Sequence, residues 1–124
     1  MSAALITSEI RERLLQNGRL MRQLAGTPAE PDFLPVVKLF TPDGGCTWLL
    51  TELDPDEPDI AFGLCDLGMG CPELGYVRLS EIASLRGELG LPAERDLGFF
   101  ATQTISAYAA EADRRGAIVT GGRQ

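Results

Sequence analysis

The sequence predicts an α+β fold: an antiparallel meander of four to five strands with an N-terminal and a C-terminal helix packed on it. Three observations carry this expectation. Apolar residues recur at helical spacing near both ends of the chain, and runs rich in β-branched and aromatic residues fill its centre. Pro, Asp and Gly separate those runs by stretches too short for parallel crossovers, which makes consecutive antiparallel pairing the economical topology. At 124 residues the chain fits one domain, residues 1–124. A domain of that size buries roughly two thirds of its unfolded surface and needs no disulfide or metal to fold.

The first helix is expected over 8–24, where Ile10, Leu14, Met21 and Leu24 share a stripe and Thr7 or Ser8 caps the start. Asn17-Gly18 should interrupt it, because both residues tolerate left-handed backbone and Gly is costly inside a helix. Thr27 to Pro35 carries three prolines and reads as a linker. The sheet is expected over 35–79. Pro35 to Thr41 and Cys46 to Leu53 form a hairpin about Pro42-Asp43-Gly44-Gly45. In the second of these strands simple alternation puts Cys46, Trp48, Leu50 and Glu52 on one face, and the Trp48 face is taken as core. Asp54 to Pro58 turns the chain into a third strand, Asp59 to Leu67. The Gly68 to Glu73 turn leads to a fourth, Leu74 to Leu79. The C-terminal part, 80–116, starts with a short helix, Glu81 to Leu85, followed by an irregular stretch, Gly87 to Asp96. Leu97 to Ala101 is a candidate edge strand. A final helix runs from about Ile105 to Arg115, capped by Thr104 or Ser106, with Gly116 just past its end. Residues 117–124 read as a frayed tail.

Formal net charge is −7, and its distribution is uneven. Residues 27–74 hold ten acids against Lys38 alone, the first 26 residues are mildly basic, and residues 75–124 are balanced. Clustered like charge projects a field of one sign. The chain has no histidine, which removes the commonest general base and metal ligand. An acidic balance, with pI near 4.5, disfavours direct nucleic-acid binding, since phosphate contact needs clustered cations. No apolar run is long enough for a membrane span, and the N-terminus lacks the pattern of a signal peptide, so the expected location is cytoplasmic. Cys46, Cys65 and Cys71 are an odd set without an export signal and are taken as reduced, the first two as small core residues.

The turn bearing Asp54, Asp56, Glu57 and Asp59 is the first place to look for a hard cation. Pro55 and Pro58 stiffen it, the central Gly and terminal Glu of a calcium loop are missing, and a solvated turn accounts for the same residues. Gly68-Met69-Gly70 precedes a strand rather than a helix, so it lacks the anion-binding geometry of a phosphate loop. No catalytic residue, metal or cofactor is assigned.

The run from Leu34 to Val77, L-P-V-V-K-L-F-T-P-D-G-G-C-T-W-L-L-T-E-L-D-P-D-E-P-D-I-A-F-G-L-C-D-L-G-M-G-C-P-E-L-G-Y-V, resembles a family of uncharacterised bacterial proteins catalogued as domain of unknown function 2958. Gly90 to Leu97 (G-L-P-A-E-R-D-L) and Ser106 to Ala112 (S-A-Y-A-A-E-A) extend the resemblance. It supplies no catalytic or binding residues. What it implies is a setting on plasmids, phages and integrative elements, near conjugation and antirestriction functions.

Charge pattern and setting together suggest a small acidic interaction protein that occupies a nucleic-acid-binding groove of a host defence complex, as an antirestriction or anti-CRISPR inhibitor would. The expected partner-binding residues are Asp43, Glu52, Asp54, Asp56, Glu57 and Asp59. Alternate residues of one strand lie about 6.6 Å apart, whereas duplex DNA offers a charge about every 3.4 Å per strand. Mimicry therefore needs the turns around Asp43 and Asp54 to Asp59 to converge on one surface. A carboxylate-based, metal-dependent hydrolase using Asp54, Asp56, Asp59, Asp66 or Glu73 is the alternative, and an acidic domain without mimicry is a third reading.

Overall fold

The computed structural model describes residues 5–121 and has the expected α+β layout. In chain order the elements are α1 (Ser8–Leu24), β1 (Val37–Phe40), β2 (Thr47–Leu53), β3 (Ile60–Asp66), β4 (Glu73–Arg78), α2 (Leu79–Ser84), β5 (Glu94–Arg95) and α3 (Ile105–Arg115). All strands belong to one open antiparallel sheet of order β4-β3-β2-β1-β5. The first four form the meander, and β5 returns from the C-terminal part to pair with β1 through Leu39–Arg95 and Phe40–Glu94.

The fifth strand thus falls at Glu94–Arg95, inside the stretch expected to be irregular, and not at Leu97–Ala101. Leu97 and Phe100 point into solvent there, so their apolar character reflects no pairing. The backbone N–H of Asp96 reaches the Lys38 carbonyl at 2.9 Å and closes the run one residue past the pair.

Both faces of the sheet are buried, which alternation within β2 left open. On one side Val37, Leu39, Trp48, Leu50, Leu53 and Ala61 pack with Leu14 of α1 and Leu79 and Ile82 of α2. Trp48 is among the largest fully enclosed side chains, as expected for the core face. On the other side Leu49 and Leu64 pack with Ile105, Tyr108 and Ala112 of α3. Cys46 and Cys65 lie half-buried against the first core as free thiols, and burial pushes the Cys65 thiol pKa up. Cys71 is exposed.

Strict alternation fails at Thr51. The β2–β3 register runs Leu49–Leu64 and Leu50–Gly63, then resumes at Glu52–Phe62 and Leu53–Ala61, so Thr51 is an extra residue in β2. One inserted residue reverses the faces beyond it. Leu53 joins the first core in the place that alternation gave to Glu52, and Glu52 turns to the side of Phe62 and Leu64.

Helix α1 is continuous through Asn17-Gly18, contrary to the expected break. The reason lies in the sheet. Pairing with β1 stops at Leu50, whose carbonyl accepts the Val36 N–H, so among the described residues the last residues of β2 have no strand on that side. Asn17 Nδ2 donates to the Thr51 carbonyl at 2.9 Å, and Gly18 is buried where any β-carbon would collide with the Leu53 carbonyl. Asn-Gly is here a docking surface for a strand end.

The ends of the helices follow the sequence with one substitution of partner. Thr7 accepts the Ile10 N–H at the start of α1, and Gly116, at φ 77°, closes α3. Thr104 precedes α3 without a side-chain cap bond, and Asp32 of the linker instead accepts the Ser106 N–H at 3.1 Å. The segment after Gly116 is not frayed as far as residue 121. Asp66 accepts the Ile118 N–H at 3.1 Å, and Lys38 Nζ donates to Thr120 Oγ1 at 2.7 Å. Residues 122–124 of the expected tail lie outside the described residues.

Candidate functional site

The six expected partner-binding acids do not share one surface. Asp43 sits in the β1–β2 turn, whereas Asp54, Asp56, Glu57 and Asp59 sit in the β2–β3 turn. The seven residues of β2 lie between them, roughly 20 Å of extended chain. Asp43 is also committed locally, for Oδ2 accepts the Leu89 N–H at 2.7 Å and holds the 87–91 loop.

The β2–β3 turn is an internally bonded device. Asp54 Oδ1 accepts the Asp56 N–H at 2.8 Å, and Arg22 of α1 bridges Asp54 and Asp56 at 3.0 Å each. Arg78 lies 3.1 Å from Glu57 and 3.7 Å from Asp59. Asp59 accepts the Ser80 N–H at 2.9 Å and its hydroxyl at 2.6 Å, tying the turn to the start of α2. These bonds favour the charged carboxylates. The Asp56 N–H lowers the Asp54 pKa against desolvation, with Glu57 N–H and Arg22 assisting, and the Ser80 hydroxyl leads the lowering at Asp59. Among the described residues no three His, Cys, Asp or Glu side chains gather as metal ligands would.

Glu52 stands apart from this turn. The bulge at Thr51 places it at the junction of two adjoining clefts, of about 150 and about 300 Å3, that share Met21, Glu52 and Phe62. The smaller runs past Gly18, Arg22, Asp54 and Tyr76. The larger is walled by Phe33, Leu74 and Ile105 and carries Glu30 and Asp32 at its rim. Phe62, which lines both clefts, meets Tyr76 of the smaller one edge to face, with ring centroids 5.0 Å apart.

The carboxylates of the groove differ in their engagement. Asp32 would be raised by desolvation, but bonds from the Ser106 hydroxyl and N–H outweigh that and lower its pKa. One oxygen of Glu30 accepts the Gly26 N–H at 2.8 Å. Glu52 has the Thr51 hydroxyl 3.2 Å from Oε1, and burial holds its pKa above the ordinary value. Among the described residues that line the larger cleft there is no Lys or Arg. A half-buried carboxylate beside aromatic rings, in no ion pair among the described residues, is the chemical signature of this groove.

Outside the groove, the outer edge of β4 has no neighbouring strand among the described residues. Leu74 and Tyr76 on β4, with Leu67 and Met69 in the preceding turn, are exposed apolar side chains, Tyr76 at 74% and Met69 at 77%. A larger cavity of about 490 Å3 lies beside Lys38, but its lysine is already engaged by Thr120 and by Asp96 at 3.5 Å.

Of the expected site residues, Glu52 and Asp54 border the groove, Asp56, Glu57 and Asp59 adjoin it through the turn, and Asp43 does not. Met21, Glu30, Asp32, Phe33, Phe62 and Tyr76 were not singled out from the sequence. They come from α1, the linker and two strands, and no local spacing connects them. The excess of acids over residues 27–74 was the one signal that touched Glu30 and Asp32.

The fold and the groove define a small α+β open-sheet domain with a cleft on the α3 side and an uncovered sheet edge. The chain belongs to the family described as protein of unknown function DUF2958, whose pattern matches residues 5–119. Neither a curated protein nor a solved structure shows a significant match to it. No helix among the described residues is long and apolar enough to cross a membrane.

Proposed function

We propose that the protein acts by binding another protein, over the face that joins the Glu52 groove to the outer edge of β4. The observation that carries this reading is the group of exposed apolar side chains, Leu67, Met69, Leu74 and Tyr76, beside an open strand edge. Exposed apolar groups gathered in one place mark interaction surfaces, and an unpaired edge offers a row of backbone donors and acceptors to a partner.

Within that reading an anti-defence role, directed at a cytoplasmic nucleic-acid-binding complex, is favoured by charge. Glu30, Asp32, Glu52, Asp54, Asp56, Glu57 and Asp59 surround the groove and the adjoining turn, where Arg22 and Arg78 are the cations paired with them. With Asp43 at the far end of β2, the acids make a local basic-partner surface rather than a duplex-length array.

A photo-crosslinking residue placed at Tyr76 and, separately, at the exposed Arg13 of α1 tests the proposal in host cells. Adducts to a defined protein from position 76, and none from position 13, are the expected result. Equal labelling from both positions, or no adduct from either, would overturn it.

A further inference from the structure

We infer that the groove beside Glu52 receives a lysine or arginine side chain of the partner, so that the docking face recognises a basic segment. This deepens the protein-binding reading above and rests on it. The walls and the charge of the groove point to the same occupant. Met21, Phe33 and Phe62 offer an apolar passage for a long aliphatic stem, and the two rings add aromatic faces that attract a cation. Where the two clefts join, the Glu52 carboxylate has a hydroxyl for a partner and no ion pair with a Lys or Arg among the described residues. Asp32 is committed to Ser106, and Arg22, which lines the smaller cleft, is committed to Asp54 and Asp56. Glu30 at the rim is held through one oxygen by the Gly26 N–H, so Glu52, with Glu30 adding negative charge nearby, is the carboxylate inside the groove that is left for an incoming cation.

Geometry also explains why the site exists. Without the extra residue at Thr51, Glu52 would face the first core and Leu53 would take its place in the groove. The bulge exchanges an apolar side chain for a carboxylate at the junction of the two clefts. Because a desolvated carboxylate gains more from a partner cation than a hydrated one does, the position is favourable for recognising one charge.

Methyl-detected NMR on the full chain, read at Met21, would test this with three small probes: N-acetyl-arginine methylamide, N-acetyl-lysine methylamide and N-acetyl-norleucine methylamide. Saturable shifts with the arginine or lysine probe in roughly the millimolar range are expected, as suits a single side chain, and the norleucine probe should leave Met21 unmoved. Glu52→Gln should weaken the response about tenfold or more, while Glu88→Gln, an exposed change outside the groove, should not. Equal shifts with norleucine, or a response indifferent to Glu52→Gln, would overturn the assignment. So would a Met21 shift that follows protein concentration without any probe, which would give the groove to a second copy of the chain. Tyr76 adducts without a cation response would sink the groove assignment and leave the docking face standing. A cation response with no adducts would support the groove and remove the wider face.

Discussion

At Glu52, burial strips water from a carboxylate whose neighbour is a neutral hydroxyl, and its pKa rises; at Asp54 and Asp59, donated hydrogen bonds stabilise charge and the pKa falls. The two cases act on stability with opposite signs. A raised acid in the folded state binds its proton more tightly than the unfolded chain does, so stability falls as pH rises from the ordinary value of 4.5 through the raised one. The lowered aspartates contribute stability above their ordinary value of 3.8 that is lost as pH falls through their folded values. Glu52→Gln should accordingly stabilise the protein at pH 7. The gain should vanish below pH about 4, where both states are protonated. Urea midpoints at the two pH values would check this, and an equal gain at both would contradict the desolvation account. The residue types were legible as acids in the sequence, but their engagement was not, since Ser80, Ser106 and Arg22 reach them from other elements.

Among the elements, α1 shows most plainly how context overrides propensity. Gly costs about 1 kcal/mol against Ala in an exposed helix interior, so Gly18→Ala would stabilise an isolated helix. In the folded protein an added methyl meets the Leu53 carbonyl, a backbone group that cannot swing aside. The expected outcome is therefore a loss of about 1–3 kcal/mol, typical of overpacking, measurable by chemical denaturation. A stabilised variant would mean that α1 does not press on the end of β2. The same contact explains the mistaken break at Asn17-Gly18, because glycine has two uses, bending and close approach, and one-dimensional spacing does not distinguish them. The displaced edge strand has a related cause. Phe99 and Phe100 suggest a strand by composition, yet β1 offers its free edge to Glu94–Arg95, and pairing is decided by which segment arrives in register.

Over the whole molecule, the chain after α3 is fastened to the sheet at two points, by the buried acid Asp66 of β3 and by Lys38 of β1. Asp66 ends β3, is 5% exposed, and accepts the Gly68 N–H at 2.9 Å with one oxygen and the Ile118 N–H with the other. Asp66→Ala would leave both donors unsatisfied, with an expected cost of about 1–3 kcal/mol. Hydrogen exchange should then quicken at Ile118 and Gly68 while protection in α1 persists. Unchanged protection at Ile118 would show that the terminal segment is anchored by Lys38–Thr120 instead. The sequence by itself determined the order of elements, the four-strand meander, the C-terminal helix and the acid-rich centre, because periodicity, turn residues and charge are properties of neighbours along the chain. Tertiary structure decided the rest: that both sheet faces are covered, that Thr51 is a bulge, that Asp43 stands apart from Asp54 to Asp59, and that Glu52 lines one cleft with Met21, Phe33 and Phe62. Those outcomes depend on packing between segments distant in sequence, where one inserted residue in a strand reverses every side chain that follows.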